Sequence, residues 1–119
     1  MTPRHAFGAA IAISLICAGA AQAHPKLLSA TPASGQPAAQ AREIRIAFSE
    51  ALIARFSGLT VKGPRGAVKT GPSTVDAANP KVLVTPLQAP LAPGRYAVTW
   101  HAVSTDTHRV AGHYVFAVK

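Results

Sequence analysis

Gly94-Arg95-Tyr96-Ala97-Val98-Thr99-Trp100-His101 decides the fold class. After the turn pair Pro93-Gly94, large apolar side chains at 96, 98 and 100 alternate with small or polar ones at 97, 99 and 101. A strand turns successive side chains to opposite faces, so this is the pattern of a half-buried β-strand. The same alternation returns downstream at Tyr114, Phe116 and Val118, after Gly112, and upstream at Ile44, Ile46 and Phe48, spaced by Arg45 and Ala47. Val82-Leu83-Val84, between Pro80 and Pro86, is rich in β-formers, and Lys26–Ser29, Leu59–Lys62 and Ala67–Lys69 are shorter candidates. Ala38–Glu43 has room for one helical turn and no more. With 10 prolines and 9 glycines punctuating 119 residues, long helices are excluded. The expected architecture is all-β: a sandwich or Greek-key barrel of about seven strands.

The first 23 residues read differently. Arg4 precedes an apolar run from Ala6 to Ala20, and Ala21-Gln22-Ala23 has the small-x-small form of a cleavage site. This is the pattern of a secretory signal peptide, too short for comfortable membrane spanning. Residues 1–23 are therefore expected to be removed and residues 24–119 to form one soluble domain. A bacterial periplasm is the expected destination. The single Cys (Cys17) and the single Met (Met1) both lie in the leader. Disulfides, cysteine nucleophiles, thiolate-ligated metals and thioether ligands are thus excluded from residues 24–119. The chain is basic, with 12 Lys+Arg against 4 Asp+Glu and a formal charge of +8. Its cations are scattered, without the basic stripe and aromatic platforms that nucleic-acid binding needs, so no nucleic-acid partner is expected.

Cleavage after Ala23 would make His24 the N-terminal residue, placing an amine and an imidazole on one residue. Their ordinary pKa values, ~8 and ~6.5, let a metal displace both protons near neutrality. Pro25 has no N–H, which blocks binding through consecutive backbone amides and leaves a bidentate amine–imidazole grip. Asp106 and His108 lie two apart in Ser104-Thr105-Asp106-Thr107-His108. In extended backbone such residues share a side, their Cα atoms about 7 Å apart. Read alone, the pair also fits a solvated turn. Together with His24 it offers three nitrogens and one carboxylate oxygen, a set suited to tetragonal Cu(II), with Zn(II) as the competitor.

These residues also carry a resemblance. His24-Pro25-Lys26-Leu27-Leu28-Ser29, Thr31-Pro32-Ala33, Ile46-Ala47-Phe48-Ser49-Glu50, Leu91–Trp100 and Val103–Gly112 with Phe116 beyond resemble the CopC family of small periplasmic copper-binding proteins. The resemblance spans nearly all of residues 24–119. It implies an immunoglobulin-like or cupredoxin-like Greek-key barrel and Cu(II) held by the amine and ring of His24, by Asp106 and by His108. It implies a role in copper homeostasis or resistance, extending to handover to an inner-membrane transporter of the CopD type. Glu50 matches a carboxylate the family keeps near the metal, expected as a supporting group or weak ligand. Some members also bind Cu(I) in a methionine-rich loop. With no Met after residue 1, this chain is expected to hold Cu(II) alone.

His101 alternates with the apolar face and is expected to point outward. His113 follows Gly112 and alternates away from Tyr114; it could join the metal, though a role away from it is expected. Trp100 and Phe48 read as core, and Lys26 and Arg109 flank the site. Two other function classes are compatible with the same residues. An N-terminal histidine also holds copper in oxidative enzymes, although a carboxylate ligand would occupy the position oxygen chemistry needs. A metal-free immunoglobulin-like interaction module is the other.

Overall fold

The computed structural model describes residues 24–35, 37–38 and 41–119. In chain order the strands are β1 (Leu27–Thr31), β2 (Pro37–Ala38), β3 (Glu43–Phe48), β4 (Gly58–Gly63), β5 (Gly66–Val68), β6 (Thr74–Val75), β7 (Val82–Pro86), β8 (Gly94–Val103) and β9 (Arg109–Val118). A four-stranded sheet runs β1-β3-β7-β6, and a five-stranded sheet runs β2-β9-β8-β4-β5. All pairings are antiparallel except β2 with β9. The chain crosses repeatedly between the sheets, so β3 lies beside β7 and β4 beside β8 although these strands are distant in sequence. This is the Greek-key β-sandwich expected from the alternation.

The alternating positions are the ones that meet between the sheets. Ile44, Ile46 and Phe48 from β3 and Leu83 from β7 face Tyr96, Val98 and Trp100 from β8 and Tyr114, Phe116 and Val118 from β9, all buried. One aromatic contact ties the layers, Phe48 meeting Trp100 edge-on with ring centroids 5.1 Å apart, and within the five-stranded sheet Tyr96 stacks on its rung partner Phe116 at 5.4 Å. Trp100 faces Gly112 across the β8–β9 ladder. A Cβ at position 112 would stand 2.5 Å from Trp100 Cζ2, so the indole occupies the space that only a glycine leaves open.

The structure departs from the sequence reading in detail. Among the described residues there are nine strands, two of them only two residues long, Pro37–Ala38 and Thr74–Val75. Strands of that length have too few side chains to show alternation. The helical turn expected within Ala38–Glu43 is not seen where that stretch is described: Ala38 belongs to β2 and Glu43 opens β3. A single 3-10 turn forms instead at Ala54–Phe56, on the crossover from β3 to β4. The expected leader, residues 1–23, lies outside the described residues. Among the described residues no helix is long and apolar enough to cross a membrane.

β8 and β9 are the longest strands, paired rung by rung from Gly94 opposite Val118 to Val103 opposite Arg109. Their connection, residues 104–108, stands at one end of the sandwich.

Candidate metal centre

The β8–β9 hairpin is closed by a short, tightly bonded tip. Ser104 N–H donates to His108 O at 2.9 Å, adding a rung beyond Val103–Arg109, and Thr107 N–H donates to Ser104 O at 2.8 Å. The turn requires φ of +71° at Thr107, in the left-handed region that β-branched residues avoid. Backbone held in that region is maintained only where the surroundings over-determine it.

Ser104 supplies much of that determination. It is 1% exposed, and its hydroxyl lies beneath the loop. Oγ donates to Asp106 Oδ1 and accepts from His108 N–H at 3.2 Å; it also lies 3.3 Å from His108 O. The other carboxylate oxygen, Asp106 Oδ2, is 3.0 Å from His108 Nδ1. The Ser104 hydrogen bond, and after it the hydrogen bond and charge of His108, hold the Asp106 carboxyl below its ordinary range against the opposing effect of desolvation. Asp106 is therefore ionised at neutral pH. An ionised carboxylate only accepts, so neutral His108 must carry its proton on Nδ1 and keep the Nε2 lone pair. That tautomer leaves Nε2 open to a metal, and a carboxylate behind a histidine is the common arrangement for orienting such a ligand.

The N-terminal segment reaches this loop through residues 49–53. Lys26 N–H donates to Ser49 Oγ at 2.8 Å, and Ser49 N–H returns a bond to Lys26 O at 2.9 Å. On the other side, Thr105 N–H donates to Ala51 O and Ile53 N–H to Val103 O, both at 2.9 Å, while Leu52 pairs with Ser104 in an isolated bridge. One short segment thus grips both the start of the described chain and the hairpin tip. The outcome is a ring contact between residues from opposite ends of the chain: His24 and His108 meet edge-on, centroids 5.0 Å apart at 63°.

His24, Asp106 and His108 are therefore brought to one place. They are not converged at ligand distances; among the described residues no group of three or more His, Cys, Asp or Glu side chains is already arranged around a metal position. Both Asp106 oxygens are turned to Ser104 and His108. Glu50 stands between Ser49, which holds Lys26, and Ala51, which holds Thr105, and is partly buried there. His113 is not brought in. It sits on the outer face of β9 opposite Thr99, four rungs from Val103–Arg109, about 14 Å along the strand at the usual rise. Lys26 and Arg109 are exposed, and the Asp106 hydrogen bonds go to Ser104 and His108 rather than to either cation. Sequence reasoning gave Ser104 no role. The signal available was a serine two residues before Asp106, within reach of its own loop's backbone.

A CopC domain matches residues 27–119. The chain belongs to the CopC family. It is 39% identical to copper resistance protein C of Pseudomonas syringae pv. tomato, covering 98% of this chain and 97% of that one. It is 42% identical to copper resistance protein C of Escherichia coli, covering 83% and 84% respectively. Its fold is similar to the crystal structure of PcoC, a methionine-rich copper resistance protein from Escherichia coli, with a TM-score of 0.74 and 37% identity over 82% of this chain and all of that one. CopC from Methylosinus trichosporium OB3b is similar at a TM-score of 0.73 and 26% identity, covering 81% and 94%. The two copper resistance proteins C and PcoC are named for copper resistance, which gives this family a copper-related function.

Proposed function

We propose that this CopC-family chain is a periplasmic Cu(II)-binding protein that sequesters or carries copper. In this reading residues 1–23 are removed on export, and copper is the cargo. It is taken by the new amine and ring of His24, by His108 through Nε2, and by Asp106. Glu50 serves as a supporting group or weak ligand. The observation that carries the proposal is the His24–His108 ring contact, beside a carboxylate held ionised. Ring centroids 5.0 Å apart let one nitrogen from each imidazole reach a shared ion after side-chain rotation. Asp106 would exchange its bond to His108 for the metal, or remain behind His108 and orient it. Nitrogen donors with one carboxylate favour Cu(II) over softer Cu(I). PcoC is described as methionine-rich, whereas Met1 is the single methionine here. A site of that composition is suited to carriage: the carboxylate fills the position that oxygen activation would need. Delivery to an inner-membrane transporter of the CopD type is part of the same proposal.

The test is a Cu(II) titration of protein beginning at His24, followed by electron paramagnetic resonance, beside a variant with one Ala added before His24. The expected result is one copper per chain with a tetragonal, nitrogen-rich signal that the added residue abolishes or greatly weakens. Equal binding by both proteins would overturn the free-amine site.

A further inference from the structure

We propose that His101 and His113 form a second metal site, on the outer face of the five-stranded sheet, which takes a divalent cation such as Cu(II) through two imidazole nitrogens. In the β8–β9 ladder His101 is opposite Ala111 and His113 is opposite Thr99. Both histidines are exposed, and both belong to the register that points away from the core, since Trp100 and Tyr114 beside them are buried. They are therefore diagonal neighbours on one face. Diagonal positions across an antiparallel pair lie about 7–8 Å apart, within reach of long and aromatic side chains. Two imidazoles at that separation can place one nitrogen each on a shared ion.

Nothing stands between them. The residues completing the square, Thr99 and Ala111, are small, and among the described residues neither imidazole has a hydrogen-bond or ion-pair partner to give up. The His101 ring rests toward β4, where a Cβ on Gly58 would stand 3.3 Å from its Cε1. Turning it toward β9 is a rotamer change of an exposed side chain, which is fast. The outward positions of β4, β8 and β9 carry cations, Lys62, Arg95 and Arg109, and no carboxylate. The site therefore binds through neutral imidazoles only, leaves the remaining coordination positions to water, and holds its ion more weakly than a chelate with an amine and a carboxylate. Imidazole suits Cu, Ni and Zn, and Cu(II) heads the divalent order. A weak, open site on the flank of the hairpin would give copper a second, exchangeable station on the same chain.

The test uses a chain carrying His24→Ala and His108→Ala, so that its outcome is independent of the function proposed above. Copper sulfate is added while backbone amide resonances are followed. The expected result is paramagnetic broadening confined to residues around Thr99, His101, Ala111 and His113, with at least tenfold more copper needed after either His101→Ala or His113→Ala. Both substitutions are at exposed positions and leave the core intact. Equilibrium dialysis of the unsubstituted chain gives a second readout: His101→Ala should remove the weaker class of bound copper and no other. Broadening that persists unchanged in both single variants, or absence of local broadening at millimolar copper, overturns the proposal.

Discussion

Replacing Ser104 by Ala removes one oxygen from beneath the hairpin tip. In the native loop that hydroxyl donates to Asp106 Oδ1 and accepts from His108 N–H at 3.2 Å. A serine has one proton, and the charge-assisted bond to the carboxylate claims it over His108 O. Without Oγ, the His108 N–H and one Asp106 oxygen lose their protein partner. Water reaches both in part, because His108 is half-exposed and Asp106 exposed. The loss in stability is therefore about 1–2 kcal/mol rather than the full cost of a buried orphan. Asp106 also loses the largest influence that lowers its pKa. The Asp106 carboxyl should then titrate at higher pH in Ser104→Ala, read directly from its carbon resonance in the metal-free protein. Copper affinity should fall by roughly 10- to 100-fold, the usual effect of deleting a group that orients a metal ligand. A competition titration against a chelator of known affinity measures this, with urea unfolding of the metal-free protein as the control for stability. An Asp106 titration and copper affinity both unchanged, with or without a stability loss, would refute the positioning role and reduce Ser104 to loop packing.

Tyr114 is buried with its hydroxyl unpartnered among the described residues, and burial pushes its pKa up to about 12. The unfolded chain ionises near pH 10, so the folded state binds the proton more tightly. Its contribution is full below pH 10 and is lost as pH rises from about 10 to 12, on the order of 2 kcal/mol. Tyr114→Phe should flatten that alkaline loss in urea unfolding and be neutral or slightly stabilising at pH 7; a large loss at pH 7 would mean the hydroxyl has a partner. Gly112→Ala should cost about 1–3 kcal/mol, because the new Cβ would meet Trp100 Cζ2 at 2.5 Å, with a matching change in near-ultraviolet circular dichroism. An unchanged melting temperature would show that the indole moves freely. Thr107→Gly should raise stability by roughly 1 kcal/mol through relief of the left-handed φ at this position. A net loss would place the threonine hydroxyl's bond to Asp106 O, 2.6 Å long, above the backbone strain.

Much of the fold was legible because burial between two sheets imposes a period of two. Ile44/Ile46/Phe48, Tyr96/Val98/Trp100 and Tyr114/Phe116/Val118 carry that period without interruption, and all are buried. What lacked the period went unread. The strands Pro37–Ala38 and Thr74–Val75 each offer two side chains, and the 3-10 turn at Ala54–Phe56 buries none. The donor groups of the proposed site are also visible in the sequence, in a histidine followed by proline and in Asp106 and His108 two apart, because residue type and short spacing are local facts.

By itself the sequence determined a basic all-β chain, sulfur-free after residue 23, with nitrogen and carboxylate donors at two remote positions. Tertiary structure decided that these positions meet. The Ser49–Ile53 segment bonds Lys26 on one side and Val103 and Thr105 on the other, and the His24 ring comes to lie 5.0 Å from that of His108. It likewise separated His113 from that group and set it diagonal to His101. Strand register, not spacing along the chain, fixes which outward-facing residues become neighbours. The same closure put Ser104 beneath the loop, where its buried hydroxyl accepts from the His108 N–H and donates to the exposed Asp106 carboxylate.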